Sequence, residues 1–332
     1  MKKDLKDVAL SVLDLATVRQ GKTIADTYEN SLKLAQHVEA LGYKRYWLAE
    51  HHNMESIASA ATSVLIGYIA QGTKTLRVGS GGIMLPNHAP LIIAEQFGTL
   101  ATLYPNRIDL GLGRAPGTDQ TTSLALRRDR YAAYNFPEQV QELLTYFSGD
   151  NYTSKVRAIP GEGLNIPVWI LGSSTDSAYL AAAMGLPYAF ASHFAPTHLM
   201  EALQIYHNKF QPSAYLKEPY TMAAVNVIAA DTTEEANYMG TSFQQLFAGV
   251  IRGNPKPLPM PVHDIASVVS PLEDAAIQQM LTYSFRGDQQ LIKEKLTGFI
   301  NATMVNELMV VCHVYDQPAK LHSYKLIAEL NS

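Results

Sequence analysis

Eight short apolar, β-branched runs recur along the 332 residues, at 8–15, 43–49, 76–85, 108–112, 167–171, 188–192, 223–230 and 307–315. Near-continuous apolar runs of this length suit strands buried on both faces, the condition of a parallel sheet. Helical patterns lie between them. Thr23-Ile24-Ala25-Asp26 is a capping signal, and Ile24, Tyr28, Leu32, Ala35 and Val38 follow it at steps of four and three. Gly42 is placed to end that helix. Pro90 opens a later helix, with Pro105 beyond its end, and Ser174 or Thr175 caps another that runs to Gly185. Strands and helices in strict alternation fold either as a closed (β/α)8 barrel or as an open doubly wound sheet.

The glycine motifs offer a test between the two. An open sheet that binds a dinucleotide carries Gly-x-Gly-x-x-Gly after its first strand. Here Gly79-Ser80-Gly81-Gly82-Ile83-Met84 has Met84 in the third glycine's place, and Gly111-Leu112-Gly113-Arg114-Ala115-Pro116 has Pro116 there. Both near-misses weaken the open-sheet dinucleotide reading, and the expectation taken forward is an α/β protein with one TIM-barrel domain over 1–332. Eight units in 332 residues (332/8) average about 41 each, long for a plain barrel of ~250 residues. The surplus falls in two insertions, 114–166 after strand four and 231–306 after strand seven. The second holds Pro255, Pro257, Pro259 and Pro261, a spacing that forbids helix and predicts an extended segment. Its place on a βα connection, with few backbone partners expected, predicts a mobile lid over the C-terminal face.

Composition excludes several classes. Lys and Arg total 26 against 30 Asp and Glu, a net charge of −4 with no long run of one sign, which argues against nucleic acid as the main partner. A lone cysteine, Cys312, excludes a disulfide framework and any multi-cysteine metal site. No secretory h-region follows Met1-Lys2-Lys3, and the longest apolar stretch, 178–191, is broken by Gly185 and Pro187. A cytoplasmic protein with no membrane span is the expectation.

Four strand ends carry candidate chemistry. Glu50-His51-His52 ends the second strand. Only one of two adjacent residues on a strand faces inward, so one histidine aims at the barrel mouth, as a general acid or base or as a hydrogen-bonded structural group. The spacing is poor for metal, and no metal site is expected. Gly79, Gly81 and Gly82 mark either a bulge that shapes the barrel or a place where a flat ligand meets backbone. Arg114, beyond Gly113, offers a planar donor fork suited to phosphate, or else pairs with a rim carboxylate such as Asp119. Gly172-Ser173-Ser174-Thr175-Asp176-Ser177 leads into a helix, an anion site or plain capping. Acid/base group, glycine wall and phosphate clamp together suit flavin mononucleotide better than a metal hydrolase.

Three longer motifs resemble the bacterial luciferase-like flavin-dependent oxidoreductases: Tyr46-Trp47-Leu48-Ala49-Glu50-His51-His52, Val78-Gly79-Ser80-Gly81-Gly82-Ile83-Met84-Leu85-Pro86, and Asn106-Arg107-Ile108-Asp109-Leu110-Gly111-Leu112-Gly113-Arg114. Leu171-Gly172-Ser173-Ser174 and Phe190-Ala191-Ser192-His193-Phe194 extend the likeness over nearly the whole chain. The resemblance implies a (β/α)8 barrel, a homodimer, and a monooxygenase that uses reduced FMN and O2 on a small organic substrate. The reduced FMN would come from a partner flavin reductase or from NAD(P)H. A flavin- or deazaflavin-dependent dehydrogenase and a non-catalytic flavin-binding protein are the alternatives. His51 matches the family's catalytic histidine. Gly81 and Gly82 match a pair joined by a cis peptide beneath the flavin. Arg114, with Gly113 before it, matches the flavin-phosphate arginine; Ser174 matches a serine at the same phosphate, with Ser177 nearby. Two positions depart from the pattern: Ser173 stands where luciferase has glutamate, and Arg286-Gly287-Asp288 stands where the family often has Gly-Thr-Pro. Asn106 replaces a common glycine.

Overall fold

The computed structural model describes residues 3–126 and 133–331. The chain runs β1 (Ala9–Asp14), α1 (Ile24–Ala40), β2 (Arg45–Leu48), α2 (Thr62–Gln71), β3 (Arg77–Met84), α3 (Pro90–Leu103) and β4 (Ile108–Gly113). A long connection carries α4 (Gln120–Ala125) and α5 (Phe136–Phe147); part of it, 127–132, lies outside the described residues. Then come β5 (Val168–Gly172), α6 (Thr175–Met184), β6 (Tyr188–Phe190), α7 (Leu199–Lys209) and β7 (Thr221–Ala229). A second long connection holds α8 (Thr233–Ile251), α9 (Pro271–Met280), β8 (Ser284–Gly287) and α10 (Gln289–Thr303) before β9 (Glu307–Val311) and α11 (Gln317–Glu329).

Eight of the nine strands close a parallel barrel in the order β1-β2-β3-β4-β5-β6-β7-β9, with β9 returning to β1. Side chains alternate between two apolar layers. Along β2, Tyr46 and Leu48 face the helices while Trp47 faces the interior; along β9, Leu308 and Val310 face out and Met309 and Val311 in. That two-sided burial is why these strands read as unbroken apolar runs. β8 was not legible as a strand. It is short and half-buried, carries Ser284 and Arg286, and extends the sheet beside the last four residues of β7 (Asn226 to Ala229).

The local signals act as their chemistry dictates. Thr23 and Asp26 form a reciprocal capping box on α1. Asn106, the residue in place of a common glycine, sits at φ 61°, a left-handed turn that asparagine tolerates. The proline segment is extended, but it is tied down more firmly than its sequence implies. Buried Leu258 bridges to the strand-like stretch after β1, donating to the Val18 carbonyl at 2.8 Å and accepting from the Gln20 N–H at 2.8 Å.

The N-terminal end of the barrel is filled by charge. Arg45 reaches Asp109 at 2.7 Å and Glu307 at 2.9 Å. Arg77 holds the other Asp109 oxygen at 2.6 Å, Tyr220 donates to Glu307 at 2.8 Å, and Ser11 also donates to Glu307. Both carboxylates are fully buried, and each has several donors, the condition under which buried charge is tolerated. Above them Trp47 and Trp169 meet edge to face at 5.2 Å. Ligand access is left to the opposite, C-terminal end. No helix among the described residues is long and apolar enough to cross a membrane.

Candidate active site

The mouth of the barrel is built from residues just past the strand ends. Beyond β2, Glu50 is almost completely buried and collects donors. His52 Nε2 lies at 2.8 Å, His88 Nε2 at 2.9 Å, the Met84 N–H at 3.0 Å and the Asn87 amide at 3.3 Å. Burial alone would raise its pKa, but the bonds from His52, His88 and Met84 outweigh that and hold it at about 2. Glu50 is therefore an ionised anchor that ties β2 to the loop after β3. Gly117 closes over it. Its φ of +66° and the 2.8 Å a Cβ would leave to the Glu50 carbonyl oxygen both require glycine there.

His51 points the other way, inward. Its Nδ1 is buried with no hydrogen-bond partner among the described residues. Burial pushes its pKa down, and the Gly117 carbonyl and the Glu50 charge only partly oppose the fall. Two more histidines share the mouth. His193 follows β6 and His313 follows β9; burial drives both to about 3, so both are neutral, and His193 Nδ1 also lacks a partner. The charges of His51 and His193 affect one another, as do those of His193 and His313. His313 stacks on Phe243 of α8 at 4.5 Å. Neutral imidazoles with unused nitrogens at a barrel's C-terminal face are suited to accepting a proton or a ligand's hydrogen bond. Among the described residues, no three His, Cys, Asp or Glu side chains are grouped to hold a metal ion.

His193 and His313 were not singled out as site residues from sequence. For His313 the available signal was position alone, while His193 also stands in the Phe190–Phe194 motif. Each lies within three residues of a strand's C-terminal end, as His51 does.

The glycine-rich third strand carries the irregularity of the bulge reading. The Gly81-Gly82 peptide is cis, as the family resemblance implies. The register between β3 and β4 shifts between Ser80 and Ile83, so a bulge is present. A Cβ on Gly79 would meet the Asp109 carbonyl oxygen at 2.5 Å, and one on Gly82 the Gly111 oxygen at 2.7 Å. At Gly113 the obstruction is Met84 Sδ at 2.8 Å. These glycines are fixed by the close approach of strands and side chains, whatever lies above them.

At the ends of β4 and β5 a second rim forms. Arg114 pairs with Asp176 at 3.0 Å, in the first turn of α6. The carboxylate partner considered from sequence, Asp119, instead caps α4 by accepting the Thr122 N–H at 2.9 Å. Ser174 is the N-cap residue of α6, yet its side chain makes no capping bond. Ser177 is less available, because its hydroxyl donates to the Ser174 carbonyl at 2.9 Å and lies 3.1 Å from the Tyr188 hydroxyl. Ser173 is exposed beside them. Arg114, Ser173, Ser174 and Ser177 are thus gathered around one helix N-terminus, and His51 and the glycines belong to the neighbouring strand ends. Amide N–H groups without a side-chain cap next to a guanidinium fit an anionic phosphate.

The comparisons with known proteins bear on family and fold. The sequence profile of the luciferase-like monooxygenases matches residues 8–302. A luciferase-like monooxygenase of Escherichia coli (strain K12) is 51% identical over 326 residues, covering 98% of this chain and 97% of that one. The N-acetyl-S-alkylcysteine monooxygenase of Bacillus subtilis (strain 168) is 32% identical, covering 97% and 98%. Among solved structures, apo-MsnO8 superposes with a TM-score of 0.87 at 33% identity, covering 97% of this chain and 98% of that one. The chain belongs to the luciferase-like monooxygenase family.

Proposed function

We propose that this protein is a flavin-dependent monooxygenase that uses reduced FMN and O2 to oxidise a small organic substrate. The electrons would come from NAD(P)H, directly or through a partner reductase. The observation that carries the reading is the rim where Arg114 stands beside the uncapped start of α6, with the end of β3 between that rim and the buried, neutral His51. Arg114 and the first N–H groups of α6 bind the phosphate. Ser174 adds a hydroxyl and Ser173 lies alongside. The Gly81-Gly82 segment leaves the strand surface without side chains on that side of the mouth. His51 holds the proton acceptor. Reduced flavin supplies the electrons that activate oxygen; the protein supplies binding, orientation and exclusion of water.

A phosphate has to displace Asp176 from Arg114. The pair is half-exposed, and exposed pairs contribute only ~0.2–1 kcal/mol, whereas charge-assisted bonds to an anion contribute ~1.5–3 kcal/mol. The phosphate wins that competition. Arg114→Ala is therefore expected to weaken FMN by roughly tenfold to a hundredfold while riboflavin, which lacks the phosphate, loses little. Fluorescence titration with both ligands reads this directly; equal weakening would reduce Arg114 to a rim strut. The oxygen chemistry is tested by reducing protein-bound FMN without air and then mixing with oxygen. An absorbing species distinct from reduced and oxidised FMN is expected before reoxidation completes. Indifference to oxygen would instead favour a dehydrogenase.

A further inference from the structure

Arg286 is the position where the chain leaves the family's Gly-Thr-Pro pattern, and the structure gives it an unusual setting. It lies on β8, in register with Ile228 of β7. Its side chain crosses Gly240 of α8, where a Cβ would come within 2.5 Å of Arg286 Cδ and 2.7 Å of Nη1. The glycine therefore makes room for the arginine. The guanidinium is partly buried, yet among the described residues it forms no ion pair with a carboxylate. Its bond is to the Gln244 side-chain oxygen at 3.1 Å, and Gln244 in turn reaches Asp274 at 3.4 Å. Burial disfavours its charge, and Asp274 compensates only from a distance. A guanidinium has five donors in a planar fork, and leaving most of them without an anion inside a protein is costly unless a ligand supplies one.

The fork lines a small cavity together with Asn226, Ser284, Gln278, Phe243 and Phe285. Asn226 is 3% exposed. Its amide donates to the His193 carbonyl at 2.6 Å and to Ser284 Oγ at 2.9 Å, while its Oδ1 has no partner among the described residues. Two contacts join this cavity to the histidines of the mouth. Asn226 holds the His193 backbone, and Phe243 stacks on His313. An anion-binding fork, an orphaned acceptor and aromatic walls thus line one cavity, whose Asn226 and Phe243 touch His193 and His313 of the mouth.

We propose that the Arg286 cavity is the carboxylate-binding end of the substrate site, and that the substrate is a small carboxylic acid bearing an N–H or O–H donor and an apolar part. The carboxylate takes the free edge of the guanidinium. The donor meets Asn226 Oδ1, and the apolar part lies against Phe243 and Phe285. The proposal names the substrate class of the oxidation proposed above and rests on that reading.

The test uses N-acetyl-L-leucine, N-acetyl-L-methionine and N-acetyl-L-phenylalanine, each beside its carboxamide. Binding is measured by calorimetry to the protein with and without FMN. At least one acid is expected to bind roughly tenfold to a hundredfold more tightly than its amide, the range of a charge-assisted pair. Arg286→Gln should abolish that preference, Arg286→Lys should keep most of it, and neither should change FMN affinity. Because Arg286 lacks a carboxylate partner, the melting temperature of Arg286→Gln should not fall; a marked fall would make the arginine a structural strut and overturn the proposal. So would acids that bind no better than their amides, or a preference that survives in Arg286→Gln. FMN titrated in parallel separates the two readings. FMN binding without acid preference overturns the pocket alone. Acid preference without FMN binding overturns the flavin reading, and with it the substrate role.

Discussion

Alanine at position 51 is expected to lower turnover by between about a hundredfold and ten-thousandfold, the range for losing a general acid or base, while FMN still binds. The expectation follows from where His51 stands. Its ring is buried at the mouth with Nδ1 unused, and it is separate from the Arg114 rim where the phosphate would be held. Burial lowers its pKa from the ordinary value of 6.5, so the proton-accepting form dominates at neutral pH. If that form is required, kcat/KM should rise with pH along a limb that lies below 6.5, and His51→Ala should lose the limb together with the rate. Steady-state rates across pH with FMN titrations on both proteins provide the measurement. Unchanged turnover would remove His51 from the chemistry.

The second large effect concerns stability. Glu50 has a folded-state pKa of about 2 against an ordinary 4.5. A depressed carboxylate stabilises the fold above its unfolded pKa, and that stability is lost as pH falls towards the folded value. A shift of this size corresponds to about 3 kcal/mol, all of it present at neutral pH and lost between about pH 4.5 and 2. Glu50→Ala should destabilise the protein by a similar amount, since it strands the His52, His88 and Met84 donors around an empty acceptor. Urea denaturation at pH 7 and at pH 4 checks both parts. The gap between wild type and variant should be wide at pH 7 and narrower at pH 4. A gap that does not change with pH would mean that Glu50 acts by packing and not by charge.

The barrel was legible because its strands are buried on both faces. No polar residue interrupts a run such as 167–171, so sequence and fold carry the same pattern. Caps were legible for the same local reason: Thr23 and Asp26 are three residues apart and satisfy one another without help from the rest of the chain. β8 failed the test because it is short and half-buried, pairs only with the end of β7, and carries Ser284 and Arg286 in place of an apolar run. The site divides along the same line. His51, Arg114 and Ser174 stand in dense local motifs. His193 stands in the Phe190–Phe194 motif without being marked by it as a site residue, His313 stands in none, and the two come together only when the barrel closes and β6, β7 and β9 become neighbours. The partner of Arg114 was misjudged in the same way. Asp119 is close in sequence, but its own helix start claims it, and Asp176 arrives from 62 residues away. The proline spacing correctly implied an extended chain but did not disclose that Leu258 pairs with the stretch after β1.

The charged floor of the barrel bears on molecular traffic. With Arg45, Asp109 and Glu307 locked together beneath the two tryptophans, nothing leaves through the bottom. A vessel corked at one end has a single door. On the proposed function, cofactor, oxidant and substrate would all enter by it, and the product would depart by it too. Whatever occupies the doorway last sets the order in which the others come and go, so the pace of a full cycle belongs as much to queueing at the rim as to the bond-making beneath it.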